Sequence, residues 1–223
     1  AYRSPVVGEV ATWKWKRRLS EGVNDLGSSE IIERVSFDGL DQGLLKVKVE
    51  RIKKDGGGEV AMPAGFEWYT PGFGAVPNKA LRSSTYGSFT GRVVGQPHAI
   101  FPLRKGKEVQ FELGFEPRPE ADLKPEVRLD ASYRSNCTIR DQMDLTTSLG
   151  AGKIVKIDCS LKSDRTELSE TVYWSLERGV AVRRDRRFVT SVSGSPIEMI
   201  AIGELISHSA ADLRQPAQQA TGR

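Results

Sequence analysis

The feature that most constrains this chain is a period of two. From Leu45 to Glu50 the apolar residues Leu45, Val47 and Val49 alternate with Lys46, Lys48 and Glu50, the pattern of a β-strand with one buried and one wet face. The same alternation returns at Val155, Ile157, Cys159 and Leu161 against Lys156, Asp158 and Ser160, and at Val109, Phe111, Leu113 and Phe115 against Gln110 and Glu112. No clear long helical segment competes with it. The fold class that follows is all-β, a curved antiparallel sheet or half-open barrel with a long irregular aromatic loop.

Taken in order, Val7, Ala11, Trp13 and Trp15 point one way along a first strand, with Thr12, Lys14 and Lys16 pointing the other. Glu21 to Ser29 reads as a polar loop, and Ile31, Val35 and Phe37 as a second strand that ends at Asp38-Gly39. Lys54-Asp55-Gly56-Gly57-Gly58 reads as a hairpin turn into a strand at Glu59 to Met62. It is no phosphate-binding loop, because the Lys-Ser/Thr and helix start that such a loop needs are missing. Residues 63–99 are irregular and dense in Pro, Gly and aromatics. Val127, Leu129, Ala131 and Tyr133 form a further strand leading to Cys137, and 141–149 is open between a helical turn and a loop. Thr171 to Trp174 and Val180 to Val182 make a hairpin around Gly179. Ile197 to Ile206 is apolar on both faces, as expected for a central or well-covered strand. Residues 1–206 are read as one β-rich domain, with 1–99 and 100–206 as its candidate sub-halves, and 207–223 as a flexible tail.

At 223 residues, a globule of this size buries roughly 70% of its unfolded surface, enough for a core without a metal. No apolar run approaches the roughly 18 residues of a membrane-spanning helix. The formal charge of +4 comes from mixed signs rather than a polycationic tract, so nucleic acid is not indicated. Two basic clusters stand out, Lys14, Lys16, Arg17 and Arg18, and Arg183, Arg184, Arg186 and Arg187. Each reads either as a solvated strand face or, for the second cluster above all, as a patch for an anionic partner.

Cys137 and Cys159 are the only cysteines, both in strand-like segments, and the first residue is Ala rather than Met. The expectation is a mature exported chain, periplasmic or extracellular, with its signal peptide removed and one disulfide between neighbouring strands. Closing a loop of about 22 residues would stabilise by roughly 3 kcal/mol. The alternative is a pair of buried free thiols in a cytosolic protein.

Candidate ligand-binding residues are aromatic. Trp13 and Trp15 are either core or a stacking platform at the mouth of the sheet, and Phe66, Trp68, Tyr69 and Phe73 either plug the open end or line a site. No catalytic set, metal site or cofactor motif emerges. His98 and His208 are the only histidines, and no Gly-x-Ser-x-Gly elbow accompanies them. Facing carboxylates for glycoside chemistry are a tertiary matter.

Pro102-Leu103-Arg104-Lys105-Gly106-Lys107, Ala151-Gly152-Lys153-Ile154 and Tyr173-Trp174 with Gly179 and Val182 resemble successive motifs of uncharacterised β-rich periplasmic proteins of proteobacteria. Pro5-Val6-Val7-Gly8-Glu9 resembles their strand starts, and the resemblance runs from Pro102 to Arg187. Those proteins are loosely similar to the outer-membrane lipoprotein carriers LolA and LolB. The resemblance implies a curved sheet whose concave face holds a lipid or another apolar group, and it brings no catalytic residues. The chain departs from a carrier in lacking a helical segment to cover the mouth and an N-terminal lipidation Cys.

The functional expectation is an exported, non-enzymatic β protein binding an apolar ligand or an envelope partner. The alternatives are a structural subunit of a cell-envelope assembly and a cell-wall carbohydrate-active enzyme.

Overall fold

A computed structural model of the chain describes residues 5–70, 74–76, 80–84, 89–117, 132–192 and 195–209. The expected strands that fall within these residues are there, and they are longer than the apolar alternation alone indicates. The first group is β1 (Val10–Glu21), β2 (Asn24–Asp41), β3 (Leu44–Asp55), β4 (Gly58–Ala61), β5 (Gly65–Tyr69) and β6 (Arg82–Ser83). The second is β7 (Phe89–Gly95), β8 (Glu108–Pro117), β9 (Ser132–Thr147), β10 (Gly150–Lys162), β11 (Thr166–Ser175), β12 (Val180–Val192) and β13 (Ser195–His208). No α-helix occurs among the described residues; a single 3-10 turn spans Pro97–Ile100.

The thirteen strands among the described residues belong to one antiparallel sheet in which, β4 apart, successive strands are also spatial neighbours. Its closure comes from the ends of the chain: β1 pairs with β2 on one side and with β13 on the other. The remaining margins, β6 and β7, meet where Gly91 N donates to Leu81 O at 2.5 Å. The expected half-open barrel is therefore a nearly closed one with a seam. β4 lies outside the ring path, paired to β3 beyond β5.

Several expected loops are strand. The polar stretch 21–29 continues the β1–β2 ladder, with Arg18 opposite Ser28 and Asn24 opposite Glu21, so that only Gly22 and Val23 turn. Likewise 141–149 prolongs the β9–β10 ladder up to the turn at 148–149. Neither ribbon has an apolar beat, because backbone pairing needs no buried face. Gly39 does not end β2; it sits at a bulge with φ +133°, and the strand runs on to Asp41. The irregular stretch 63–99 contains β5, β6, β7 and the 3-10 turn. The expected tail begins later than residue 207, since His208 ends β13 and Ser209 N donates to Val10 O at 3.0 Å. Val127, Leu129 and Ala131 lie outside the described residues, as does the tail beyond 209.

Inward residues of β8 to β12 form the largest core cluster, among them Phe111, Leu113, Ile157, Val172 and Trp174. Cys137 and Cys159 face each other across β9 and β10 and are disulfide-bonded inside it. Many outward positions are charged and paired, Lys14 with Glu30 at 2.7 Å, Lys46 with Asp38 at 2.6 Å and Arg183 with Asp185 at 2.9 Å, while β13 shows Ile200, Ile202 and Ile206 to solvent. A membrane-spanning barrel carries a continuous apolar band on its outer face; here ion pairs interrupt that face.

Two substitutions test this packing. A Cβ on Gly91 would stand 2.8 Å from the Leu81 backbone, so Gly91→Ala is expected to open the seam at a cost of about 1–3 kcal/mol. Hydrogen exchange should then quicken around Leu81 and Gly91 and stay slow in β11 and β12. Replacing Cys137 and Cys159 together by Ala should lower unfolding stability by about 3 kcal/mol, read by denaturant titration.

Candidate functional site

The lumen has two tiers, stacked along β1. Ala11 and Trp13 face the first, Trp15 separates it from the second, and Arg17 follows two residues further on the same face. The Trp13 and Trp15 rings stack with centroids 5.7 Å apart. Trp15 can lie flat on the wall because its neighbour in β13 is Gly203, where a Cβ would come within 2.6 Å of the indole.

The first tier is the mouth. There Trp13, Phe37, Val47, Trp174, Ala181 and Leu205 bound a cavity of about 90 Å³. Its polar element is the buried pair Glu9 and His208. His208 Nε2 donates to Glu9 Oε1 at 2.7 Å, a direction that follows from the carboxylate's lack of a proton donor. Glu9 Oε2 also accepts the Val6 N–H at 3.0 Å. This pair ties β13 to the approach to β1 beside the apolar wall.

The second tier is charged. Arg51 donates from Nε to Glu33 at 2.6 Å and from NH1 to Glu67 at 3.0 Å, while Trp15 Nε1 donates to the other Glu33 oxygen at 3.2 Å. The Tyr69 hydroxyl donates to Glu67. Across the lumen Arg186 donates to Glu170 at 2.6 Å and lies 4.5 Å above the Trp15 ring. Arg184 reaches Glu170 at 3.3 Å and donates to the carbonyls of Gly74 and Val76 at 2.6 and 3.1 Å. The Arg184 and Glu170 side chains are 1% and 0% exposed, so this pair lies wholly inside low dielectric.

Burial governs the titration here. It pushes Arg184 down to about 10, against the opposing charge of Glu170. Burial also draws Arg51 down, but the charges of Glu33 and Glu67 outweigh it and hold Arg51 above the ordinary arginine value. Tyr69 is raised well above its usual value by burial first and by Glu67 second.

The candidate residues of the sequence divide between these tiers and the exterior. Trp13 lines the mouth, and Trp15 packs below it with Ile31 and Ala201. Phe66 and Trp68 are on the outer face of β5, under Lys46 and Arg82 respectively, and Trp68 Nε1 donates to Asp41 at 2.7 Å. Tyr69 points the opposite way, into the lumen. Phe73 lies outside the described residues. The arginine cluster is split by strand alternation: Arg184 and Arg186 face inward, Arg183 and Arg187 outward, the latter on Glu198 at 2.5 Å. His98 is exposed on the 3-10 turn.

Glu33, Arg51, Glu67 and Glu170 were not singled out from sequence. A signal existed, since Arg51 follows Leu45, Val47 and Val49 in phase, and Glu67 and Glu170 are in phase with Tyr69 and with Val172 and Trp174. Charge on an apolar phase was the clue.

No protein-family model matches the sequence, and no curated protein matches it. Solved structures with a similar course include the hypothetical lipoprotein YmcC from Escherichia coli, at 10% identity and a TM-score of 0.38 over 84% of this chain and 82% of that one. An exported protein with a YmcC-like fold from Bacteroides fragilis is 10% identical, with a TM-score of 0.39 over 93% and 98%. A lipoprotein from Parabacteroides distasonis is 10% identical, with a TM-score of 0.29 over 89% and 95%. At such values none of them carries a functional inference to this chain.

Breaking the buried pair on one side should be severe. Glu170→Ala, which strands both Arg184 and Arg186, is expected to lose about 3–5 kcal/mol, and adding Arg184→Met should recover only part of it because Arg186 still lacks its carboxylate. Urea denaturation of the single and double variants checks this. In an alkaline spectrophotometric titration Tyr69 should ionise only on unfolding, so Tyr69→Phe should lower the number of late-titrating phenols by one.

Proposed function

We propose that this protein is an exported, non-enzymatic β-barrel that holds an apolar group at its mouth. The observation that carries the reading is the cavity bounded by Trp13, Phe37, Val47, Trp174 and Leu205, beside the buried Glu9–His208 pair. Apolar cavities stay dry and favour apolar occupants. Its size narrows the occupant: at about 90 Å³ it is smaller than the roughly 150 Å³ that accommodates benzene. A whole lipid is too large, and the fitting guest is the end of an alkyl chain whose remainder stays outside.

Export is supported by the disulfide in the core, which belongs to oxidising compartments. The absence of catalysis is supported by the chemistry of the lumen. Glu33, Glu67 and Glu170 each bond an arginine, an arrangement of ion pairs rather than of a proton donor facing a nucleophile. The envelope-assembly reading is weaker. Only Arg183 and Arg187 of its basic patch face outward, and each already has a carboxylate within 3 Å.

Titration with neutral alkanols of increasing chain length, followed by calorimetry, tests the proposal. Binding should strengthen over the first few carbons and then level off as the cavity fills. Ala11→Phe, which adds bulk at the cavity wall, should weaken binding at least about tenfold, and Trp68→Ala on the outer face should leave it unchanged. Equal binding by the parent and Ala11→Phe would refute the site.

A further inference from the structure

The charged tier holds one more guanidinium than its carboxylates match. Arg51 is engaged by Glu33 and Glu67, while Arg184 and Arg186 share Glu170. The Arg17 side chain makes no hydrogen bond or ion pair among the described residues, and its Nε is shut off from solvent without a partner. Arg184 Nε and Nη1 and Glu170 Oε2 also lack a hydrogen bond in this tier, and so, beside Arg17, does the Nη2 of Arg186.

Register brings these two orphans to one place. Arg17 and Arg186 are both paired to Ala201, one from β1 and one from β12. Two strand spacings separate their backbones by roughly 9–10 Å, and the residue between is too short to keep the guanidiniums apart. Burial lowers the Arg17 pKa, the charge of Glu33 opposes that, and Arg186 and Arg51 add to the lowering, so Arg17 lies within reach of both like charges. A desolvated cation without a partner is unfavourable, and an incoming anion that accepts from both forks removes the imbalance.

We propose that Arg17 and Arg186 form a binding site for a phosphate-type oxyanion, at the end of the lumen opposite the apolar mouth. Both donor atoms are closed off from solvent, so entry of the anion requires the partly exposed Arg17 and Arg186 side chains to swing outward at that end. Oxygens on the anion accept from Arg17 Nε and from Arg186 Nη2, while Arg186 keeps its Nε bond to Glu170. The site is independent of alkyl binding at the mouth, from which the Trp13–Trp15 stack separates it.

The test is thermal unfolding and calorimetry of the full chain with inorganic phosphate, against chloride at matched ionic strength. Phosphate should raise the unfolding midpoint saturably, and Arg17→Gln should weaken its binding by about ten- to a hundredfold. Without anion, Arg17→Gln should melt no lower than the parent, because it removes an uncompensated charge. Ala11→Phe should bind phosphate as the parent does. A short-chain phosphatidic acid, used as monomer, distinguishes the sources: tighter binding than inorganic phosphate assigns a lipid headgroup, equal binding a free anion. No shift beyond the chloride control, an unchanged affinity in Arg17→Gln, or a markedly lower melting point for that variant would each overturn the site.

Discussion

The pairing of β1 with β13 is the constraint on which the rest of this structure depends. It joins the two ends of the chain, turns a sequential meander into a ring and sets Trp13 opposite Leu205, Trp15 opposite Gly203 and Arg17 opposite Ala201. Each couple combines a large inward side chain with a smaller or flatter partner. A one-residue slip would drive all three large side chains to the exterior. The register is thus held by the lumen's contents as much as by the ladder's hydrogen bonds.

The lumen is filled rather than hollow, and by two different means. Toward the mouth, aromatic and aliphatic side chains leave a small apolar cavity. Beyond Trp15, guanidiniums and carboxylates take over, with Glu170 and Arg184 essentially without solvent. Such pairs add little net stability compared with a hydrophobic filling, yet they are unforgiving of losing one partner. They also restrict which barrel can form, because arginines from β3 and β12 must find glutamates on β2, β5 and β11. A register that separates them leaves bare charge inside.

The aromatic residues that looked like one site from sequence are dispersed by strand geometry. Trp68 and Tyr69 are adjacent in the chain and lie on opposite faces, since successive residues of a strand alternate. Phe66 and Trp68 end under Lys46 and Arg82 on the exterior, where a cation covers each ring. Trp13 alone among the described candidates lines the cavity, and its neighbours there, Phe37, Val47, Trp174 and Leu205, come from four further strands. The four clustered arginines divided for the same reason, two entering the ion-pair tier and two staying on the surface.

Sequence by itself determined the all-β class, the placement of Cys137 and Cys159 in strands, the hairpins at Gly57 and Gly179 and the inward face of most strands. These follow from local periodicity and turn chemistry, which each segment carries alone. Tertiary structure decided the closure of the ring, the length of its polar ribbons, the position of the cavity and the matching of Arg51, Arg184 and Arg186 to their glutamates. Those depend on which strands become neighbours and in what register. That is a property of the whole sheet, settled when many individually weak preferences are satisfied together, and no single segment records it.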